Sequence, residues 1–231
     1  MSINIDGLLV AEQAVLTDTH VVFTSKQHGD TYIDLRVFAH KTAVLNELSK
    51  ELASAIIENY RQGIPSIGHH RENFLFLGPE TLGRDYARLV STHYNRYTNA
   101  ASESIFCEVD EQGAYFSKKL DFGRLVPGRK VVFVDDLLNE SSTFFKVKKL
   151  VEDHGGEVVL VLAIINRQLS KNTPEYLGVP QIITLKDFDN LKSYDPEWCP
   201  LCELRIPMRE RPGHGHEWLL QEENQGYPVA E

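Results

Sequence analysis

Val131-Val132-Phe133-Val134-Asp135-Asp136-Leu137-Leu138-Asn139-Glu140-Ser141-Ser142-Thr143 is the stretch from which the rest of the chain is read. Four consecutive β-branched or aromatic residues suit a strand covered on both faces. Two carboxylates follow, then a polar loop expected over 135–142. A helix is expected to start near Ser142-Thr143, with Phe144, Val147, Leu150 and Val151 on its apolar face and Gly155-Gly156 at its end. The hydroxyls and amides of such a loop could hold a phosphate, and the two acids could accept from sugar hydroxyls or hold a hydrated metal ion. The plainer alternative is an acidic pair that caps and solvates the next loop.

Working outward, the same order of strand, loop and helix recurs. Val158–Ile165 is a continuous apolar run and Gln181–Leu185 a shorter one. Upstream, Phe74–Leu77 opens onto Gly78-Pro79, after which Leu82, Tyr86, Leu89 and Val90 take helical spacing. Leu45, Leu48, Leu52, Ile56 and Tyr60 predict an amphipathic helix over 40–60, stopped by Gly63 and Pro65. Between the two units, Ile105–Lys119 reads as a hairpin turning at Asp110-Glu111-Gln112-Gly113. Unbroken apolar strands alternating with helices imply an α/β fold with a mostly parallel central sheet flanked by helices, and ligands bind such sheets beyond the carboxyl ends of the strands.

A chain of 231 residues can bury one good core, so one main domain is expected. No apolar run approaches the eighteen or so residues of a membrane helix, so no membrane partner is expected. The charged first thirty residues do not read as a secretory signal, and three cysteines are too few for a disulfide scaffold; both point to the cytoplasm. A net charge of -9 opposes nonspecific attraction to nucleic acid. The expected partner is a small molecule.

Residues 131–143 resemble the signature by which type I phosphoribosyltransferases bind 5-phosphoribosyl-1-pyrophosphate (PRPP): four apolar residues, two acids, two apolar residues and a Thr/Gly-rich phosphate loop. The resemblance implies that Asp135 and Asp136 contact the ribose hydroxyls and that Asn139, Glu140, Ser141, Ser142 and Thr143 wrap the 5′-phosphate. This loop departs from the pattern in having no glycine. Ser141 therefore stands where glycine would permit positive φ and close approach, although its hydroxyl adds a donor. A Glu140 carboxylate about 4 Å from a phosphate charge would cost about 1 kcal/mol per unit charge in water and about 4 at an effective dielectric near 20, unless it points outward.

Other segments resemble the orotate branch of that family. Phe23–Ile33 is similar to its Ser-Gly-Lys…Ser-x-Tyr segment, which makes Lys26 and Tyr32 candidates at the base and Lys26 a candidate at the reacting groups. Gly78-Pro79-Glu80-Thr81-Leu82-Gly83 resembles the loop whose amides face pyrophosphate. Asn166-Arg167-Gln168 resembles an Asp-Arg-Gln segment whose arginine binds the orotate carboxylate, a task suited to a planar guanidinium. The hairpin turn is acidic where many orotate enzymes carry a basic catalytic loop, leaving Lys118 and Lys119 as substitutes.

The resemblance spans about residues 16–185. It implies a homodimer using magnesium with PRPP to make a nucleotide and pyrophosphate in pyrimidine biosynthesis. The expected organisation is an N-terminal hood region with the first helix (1–60), a phosphoribosyltransferase core (61–195) and a Cys/His-containing tail (196–231). Two alternatives stay open: a PRPP-binding regulatory protein of the same fold without turnover, and a transferase for another base.

The tail adds Cys199-Pro200-Leu201-Cys202 followed by His214 and His216. Two thiolates and two imidazoles suit a tetrahedral zinc ion, so these four are the candidate ligands of a structural zinc. The alternative is a packed, metal-free tail.

Overall fold

A computed structural model describes residues 4–23, 25–62, 71–188 and 191–230; Thr24 and the expected helix stops Gly63 and Pro65 lie outside them. The chain divides into two compact units, residues 38–189 with the first five residues, and residues 6–37 with 190–231.

In the larger unit, helix α1 (Thr42–Arg61) buries Leu45, Leu48, Leu52 and Ile56, the stripe its spacing predicts. After it come β1 (Leu75–Pro79), α2 (Leu82–Thr98), β2 (Glu103–Val109), β3 (Ala114–Tyr115), β4 (Lys130–Leu138), α3 (Ser142–Asp153), β5 (Glu157–Asn166), α4 (Pro174–Leu177) and β6 (Gln181–Asp187). The six strands form one sheet in the order β6-β5-β4-β1-β2-β3. Every neighbour pair is parallel except β2 and β3, which form the expected hairpin. Its turn is held by Asp110, whose carboxylate accepts from the backbone N–H groups of Gln112 (2.8 Å) and Gly113 (3.0 Å).

The α/β class and the mostly parallel sheet are as the sequence implies. On one face of β4, Val131 and Phe133 pack with Phe144, Val147, Leu150 and Val151 of α3 in a single buried cluster. Their aromatic rings meet edge to face at 5.3 Å.

Two element boundaries differ from the sequence reading. Strand β4 runs through Asp135 and Asp136 to Leu138, because Asp135, Leu137 and Leu138 stay in register with Ala163, Ile165 and Asn166 of β5. The loop after it therefore starts at Asn139, four residues later than expected. Strand β1 likewise continues through Gly78 and Pro79, which lie opposite Phe106 and Cys107 of β2.

From β1 the chain moves to β2 on one side, then returns to β4 on the other side of β1 and proceeds to β5 and β6. The loops after β1 and β4 thus diverge from a topological switch point, the place where an open parallel sheet leaves a crevice at its carboxyl edge.

The smaller unit pairs the N-terminal segment with the tail. Val15–Leu16 lies antiparallel to Tyr32–Ile33, and Val21–Val22 to His28–Gly29. His28 bridges Tyr194, the His20 carbonyl accepts from Arg209 N–H (2.8 Å), and the Val22 carbonyl accepts from His214 N–H (2.8 Å). The grouping differs from the expected 1–60, 61–195 and 196–231: α1 belongs with the sheet, and the tail shares a unit with residues 6–37. The reason is that α1 buries its stripe against α2 and β6, whereas the short N-terminal strands find backbone partners in the tail. Among the described residues no helix is long and apolar enough to cross a membrane.

Gly78 is a position where backbone approach excludes a side chain: a Cβ there would lie 1.9 Å from the Gly83 carbonyl oxygen. Gly78→Ala is expected to cost about 1–3 kcal/mol through this overpacking, read as a lower urea midpoint at unchanged m-value. A wild-type midpoint would show that this contact does not constrain the turn.

Candidate active site

Three loops leave the carboxyl ends of adjacent strands β1, β4 and β5: residues 80–81, 139–141 and 167–173. Asp135 and Asp136 stand partly buried near the end of the middle strand. Consecutive strand residues point to opposite faces, so the two carboxylates serve different sides of the sheet. Asp135 follows Val131 and Phe133 toward the α3 side. There burial, then the charge of Asp135 and after it that of Glu80, pushes the Cys107 thiol up to about 12. Asp136 lies on the α2 side, where burial and then the Asp136 charge push the Tyr86 phenol upward. The Tyr86 hydroxyl is buried with no hydrogen-bond partner among the described residues.

Asp135 itself is held well above the usual carboxylate range, first by burial and then by the neighbouring Asp136 charge. A hydrogen bond accepted from the Asp136 backbone N–H (2.9 Å) works in the opposite direction without overcoming them. The carboxyl at this position is electrostatically uncomfortable until positive charge or hydrogen-bond donors arrive.

The loop at 139–141 is fastened to the loop after β5 by one side chain that sequence reasoning did not single out. Asn172, 2% exposed, accepts from the Ser141 hydroxyl (2.7 Å) and donates to the Asn139 carbonyl (2.9 Å) and the Asn166 side-chain oxygen (3.1 Å). Ser141 adopts the left-handed conformation (φ 56°, ψ 16°), so the strain anticipated for a non-glycine residue is present and its hydroxyl is engaged by Asn172. No local signal in Lys171-Asn172-Thr173 marks this role, since it depends on two loops meeting. Glu140 turns toward Lys171 and Gln168, whose hydrogen bonds, that of Lys171 first, hold its carboxyl below the usual range. The charge that threatened a bound phosphate is thus offset by a lysine. Exposed Ser142 and half-buried Thr143 begin α3, whose first-turn amides lack intrahelical acceptors and point toward the loop.

Arg167 is 7% exposed, and its backbone N–H donates to the Leu138 carbonyl (2.8 Å), which places it beside the end of β4. Gln168 adds a bond to the Asn139 side chain (3.3 Å). In the loop after β1, the Glu80–Thr81 peptide is cis, and the Glu80 N–H donates to the Cys107 carbonyl (2.9 Å). A Cβ on Gly83 would meet the Val134 carbonyl oxygen at 2.8 Å, so the first turn of α2 rests against the backbone of β4.

The remaining expected residues belong to other elements. Lys118 and Lys119 are exposed in the turn after β3. Lys26 and Tyr32 belong to the smaller unit. Lys26 is exposed at φ 65°, its N–H donating to the Phe23 carbonyl (2.9 Å), and the Tyr32 ring stacks on Phe23 at 6.3 Å. Cys199 and Cys202 meet His20 and His28 in a cluster able to hold a metal ion. His214 and His216, the histidines expected to join them, instead lie beside Glu217 (3.6 Å) and Glu210 (3.5 Å), because the turn at 210–216 directs both away. His20 and His28 were missed because they sit some 170 residues upstream of the cysteines.

The chain matches no model of a known protein family. It is 30% identical over 210 residues to the orotate phosphoribosyltransferase of Thermotoga maritima, covering 89% of this chain and 95% of that one. The chain belongs to the orotate phosphoribosyltransferase family. The enzyme of the same name from Desulforamulus reducens is 27% identical over 190 residues, covering 81% of this chain and 85% of that protein. Among solved structures, the orotate phosphoribosyltransferase of Francisella tularensis superposes with a TM-score of 0.57 at 13% identity, over 81% of this chain and 84% of that one. That of Aeropyrum pernix gives 0.51 at 17% identity, over 78% and 92%. These two likenesses establish the fold, that of the type I phosphoribosyltransferases.

Two outcomes test the site geometry. Asn172→Ala leaves the Ser141 hydroxyl and the Asn139 carbonyl oxygen without this partner, while the Asn166 side-chain oxygen keeps the Gln168 N–H, and is expected to cost about 1–3 kcal/mol in urea unfolding. Ser141→Gly should recover part of that loss in the Asn172→Ala background by relieving the left-handed strain; independent, additive effects would contradict the coupling. For Asp135 the folded carboxyl binds its proton more tightly than the unfolded one, so its contribution is present below about pH 4 and lost as pH rises through the folded value. Asp135→Asn should therefore unfold at a higher temperature than wild type at pH 8, with the gap closing toward pH 4. A gap that does not change with pH would remove the electrostatic account.

Proposed function

We propose that the protein transfers the phosphoribosyl group of PRPP to orotate, giving orotidine 5′-monophosphate and pyrophosphate in pyrimidine biosynthesis. The observation that carries this reading is the acidic pair at the topological switch point, flanked by the Asn172-fastened loop and by Arg167. Cleavage of the bond from the anomeric carbon to pyrophosphate builds positive charge on the ribose and negative charge on the leaving group, so positioning and electrostatics dominate catalysis.

Within this reading Asp135 and Asp136 accept from the ribose hydroxyls. Asn139 to Thr143 and the first amides of α3 receive the 5′-phosphate. The turn from Gly78 to Gly83 presents its backbone to pyrophosphate, and Arg167 pairs with the orotate carboxylate. Lys26 and Tyr32 are assigned to the base and the leaving group, and Lys118 and Lys119 to charge compensation at pyrophosphate.

Magnesium, entering with PRPP, would neutralise charge developing on the pyrophosphate oxygens. The donor chemistry fits a cation: Asp135 is pushed toward its protonated form in the protein alone, and nearby positive charge would favour its ionised form. Asp135 and Asp136 would accept from the ion's water ligands. The family likeness extends the reading to a homodimer working in the cytoplasm.

A second reading, a PRPP-binding regulator without turnover, draws on the engaged Ser141 hydroxyl and the acidic hairpin turn. Purified protein given magnesium, PRPP and a panel of bases separates the two. Orotate-dependent release of pyrophosphate supports the transferase, and PRPP binding without release from any base supports the regulator. Asp136→Asn should abolish PRPP use with the fold intact. Arg167→Ala should weaken orotate use roughly ten- to a hundredfold, the loss of a charge-assisted contact of about 1.5–3 kcal/mol, with far less change in PRPP affinity. Undiminished orotate use by Arg167→Ala would overturn the assignment of the base site.

A further inference from the structure

Four side chains from two distant parts of the sequence converge inside the smaller unit. His20 and His28 flank the ribbon of Val21–Val22 and His28–Gly29, while Cys199 and Cys202 sit at the start of the short helix Pro200–Glu203. One donor atom from each lies within 4.8 Å of all the others. His20 Nε2 is 3.0 Å from His28 Nδ1, 3.8 Å from Cys199 Sγ and 3.7 Å from Cys202 Sγ, and Cys202 Sγ is 3.2 Å from His28 Nδ1. A tetrahedral zinc ion with bonds of about 2.0–2.1 Å to nitrogen and 2.3 Å to sulfur sets its donors about 3.3–3.8 Å apart. The four separations, 3.0–3.8 Å, bracket that range.

Three further observations bear on the cluster. Both histidines are fully buried and Cys199 is 3% exposed, so these are interior polar groups that require partners. His20 Nδ1 lies 2.9 Å from the Ile206 carbonyl oxygen, which assigns the proton to Nδ1 and turns the Nε2 lone pair toward the other three donors. Among the described residues no arginine or lysine hydrogen-bonds the four donor atoms, whereas two thiolates with one divalent cation make a neutral centre, the cheapest charge state to bury.

We propose that His20, His28, Cys199 and Cys202 bind one zinc ion as a closed structural site. Nitrogen and sulfur in a two-and-two tetrahedral set select zinc over the hard cations that carboxylates hold. All four positions are filled by protein, so the ion's role is to fasten the N-terminal ribbon to the tail. This site shares no residue with the PRPP site and does not depend on the transferase reading.

Elemental analysis of the full chain purified without added metal, then incubated with zinc and desalted, should find about one zinc per chain. Cobalt loaded in its place should give thiolate-to-metal charge-transfer absorption. The double variant His214→Ala with His216→Ala should keep the metal, while His20→Ala and Cys202→Ser should lose it. Because the last two could fail to fold, wild type supplies an independent readout. Alkylation of Cys199 and Cys202, mapped by mass spectrometry, should be about tenfold or more slower in zinc-loaded than in chelator-treated protein, with buried Cys107 unlabelled in both. Zinc well below one per chain after loading, equal alkylation in both states, or metal loss in the His214/His216 variant would each overturn the proposal.

Discussion

The hydrogen bond from the Ser141 hydroxyl to the Asn172 side chain is the constraint on which the candidate site rests. A loop of three residues must turn the chain from β4 into α3, and its last residue does so in the left-handed conformation, which L-residues other than glycine adopt at a cost. Asn172 offsets that cost from the neighbouring loop. With its amide it also fixes Asn139 and Asn166, so the loops after β4 and β5 behave as one rigid edge. The solution replaces conformational freedom by side-chain hydrogen bonding: where glycine would make the turn without help, serine requires a buried partner.

The electrostatics of the site run against stability in the same place. Asp135 pays for its position near the end of a buried strand with a raised carboxyl, and it raises the Cys107 thiol in turn. Asp136 does the same to Tyr86 on the opposite face. Such groups persist because the sheet register holds their backbone: Asp135 is fixed opposite Ala163 whatever its charge prefers. A site that is unfavourable when empty and relieved by cations or donors is one way a rigid scaffold favours a ligand.

The smaller unit follows a different logic. Its described strands are two residues long, and imidazoles and thiols are buried beside apolar residues such as Val21, Ile33, Leu35 and Met208. Side chains converging from residues 20–28 and 199–202 add hydrogen bonds to its apolar contacts, and the proposed zinc would add ligation.

The apolar periodicity of residues 45–56, 131–134 and 158–165 determined the fold class, because burial on two faces leaves an unmistakable record in composition. The acidic pair and Arg167 could be singled out as candidates, since each lies at the end of an apolar run and resembles a known segment. What lay beyond the sequence was every relation between loops. The end of β4 was misjudged because strand pairing, which local polarity does not reveal, carries the acids within the sheet to Leu138. Asn172 was invisible because two of its partners, Ser141 and Asn139, lie in the loop after β4, and His20 and His28 because His214 and His216 offered imidazoles nearer to the cysteines in sequence. Sequence alone recorded which residues prefer to be buried; only the tertiary structure decided which polar groups, remote along the chain, must satisfy one another once water is excluded.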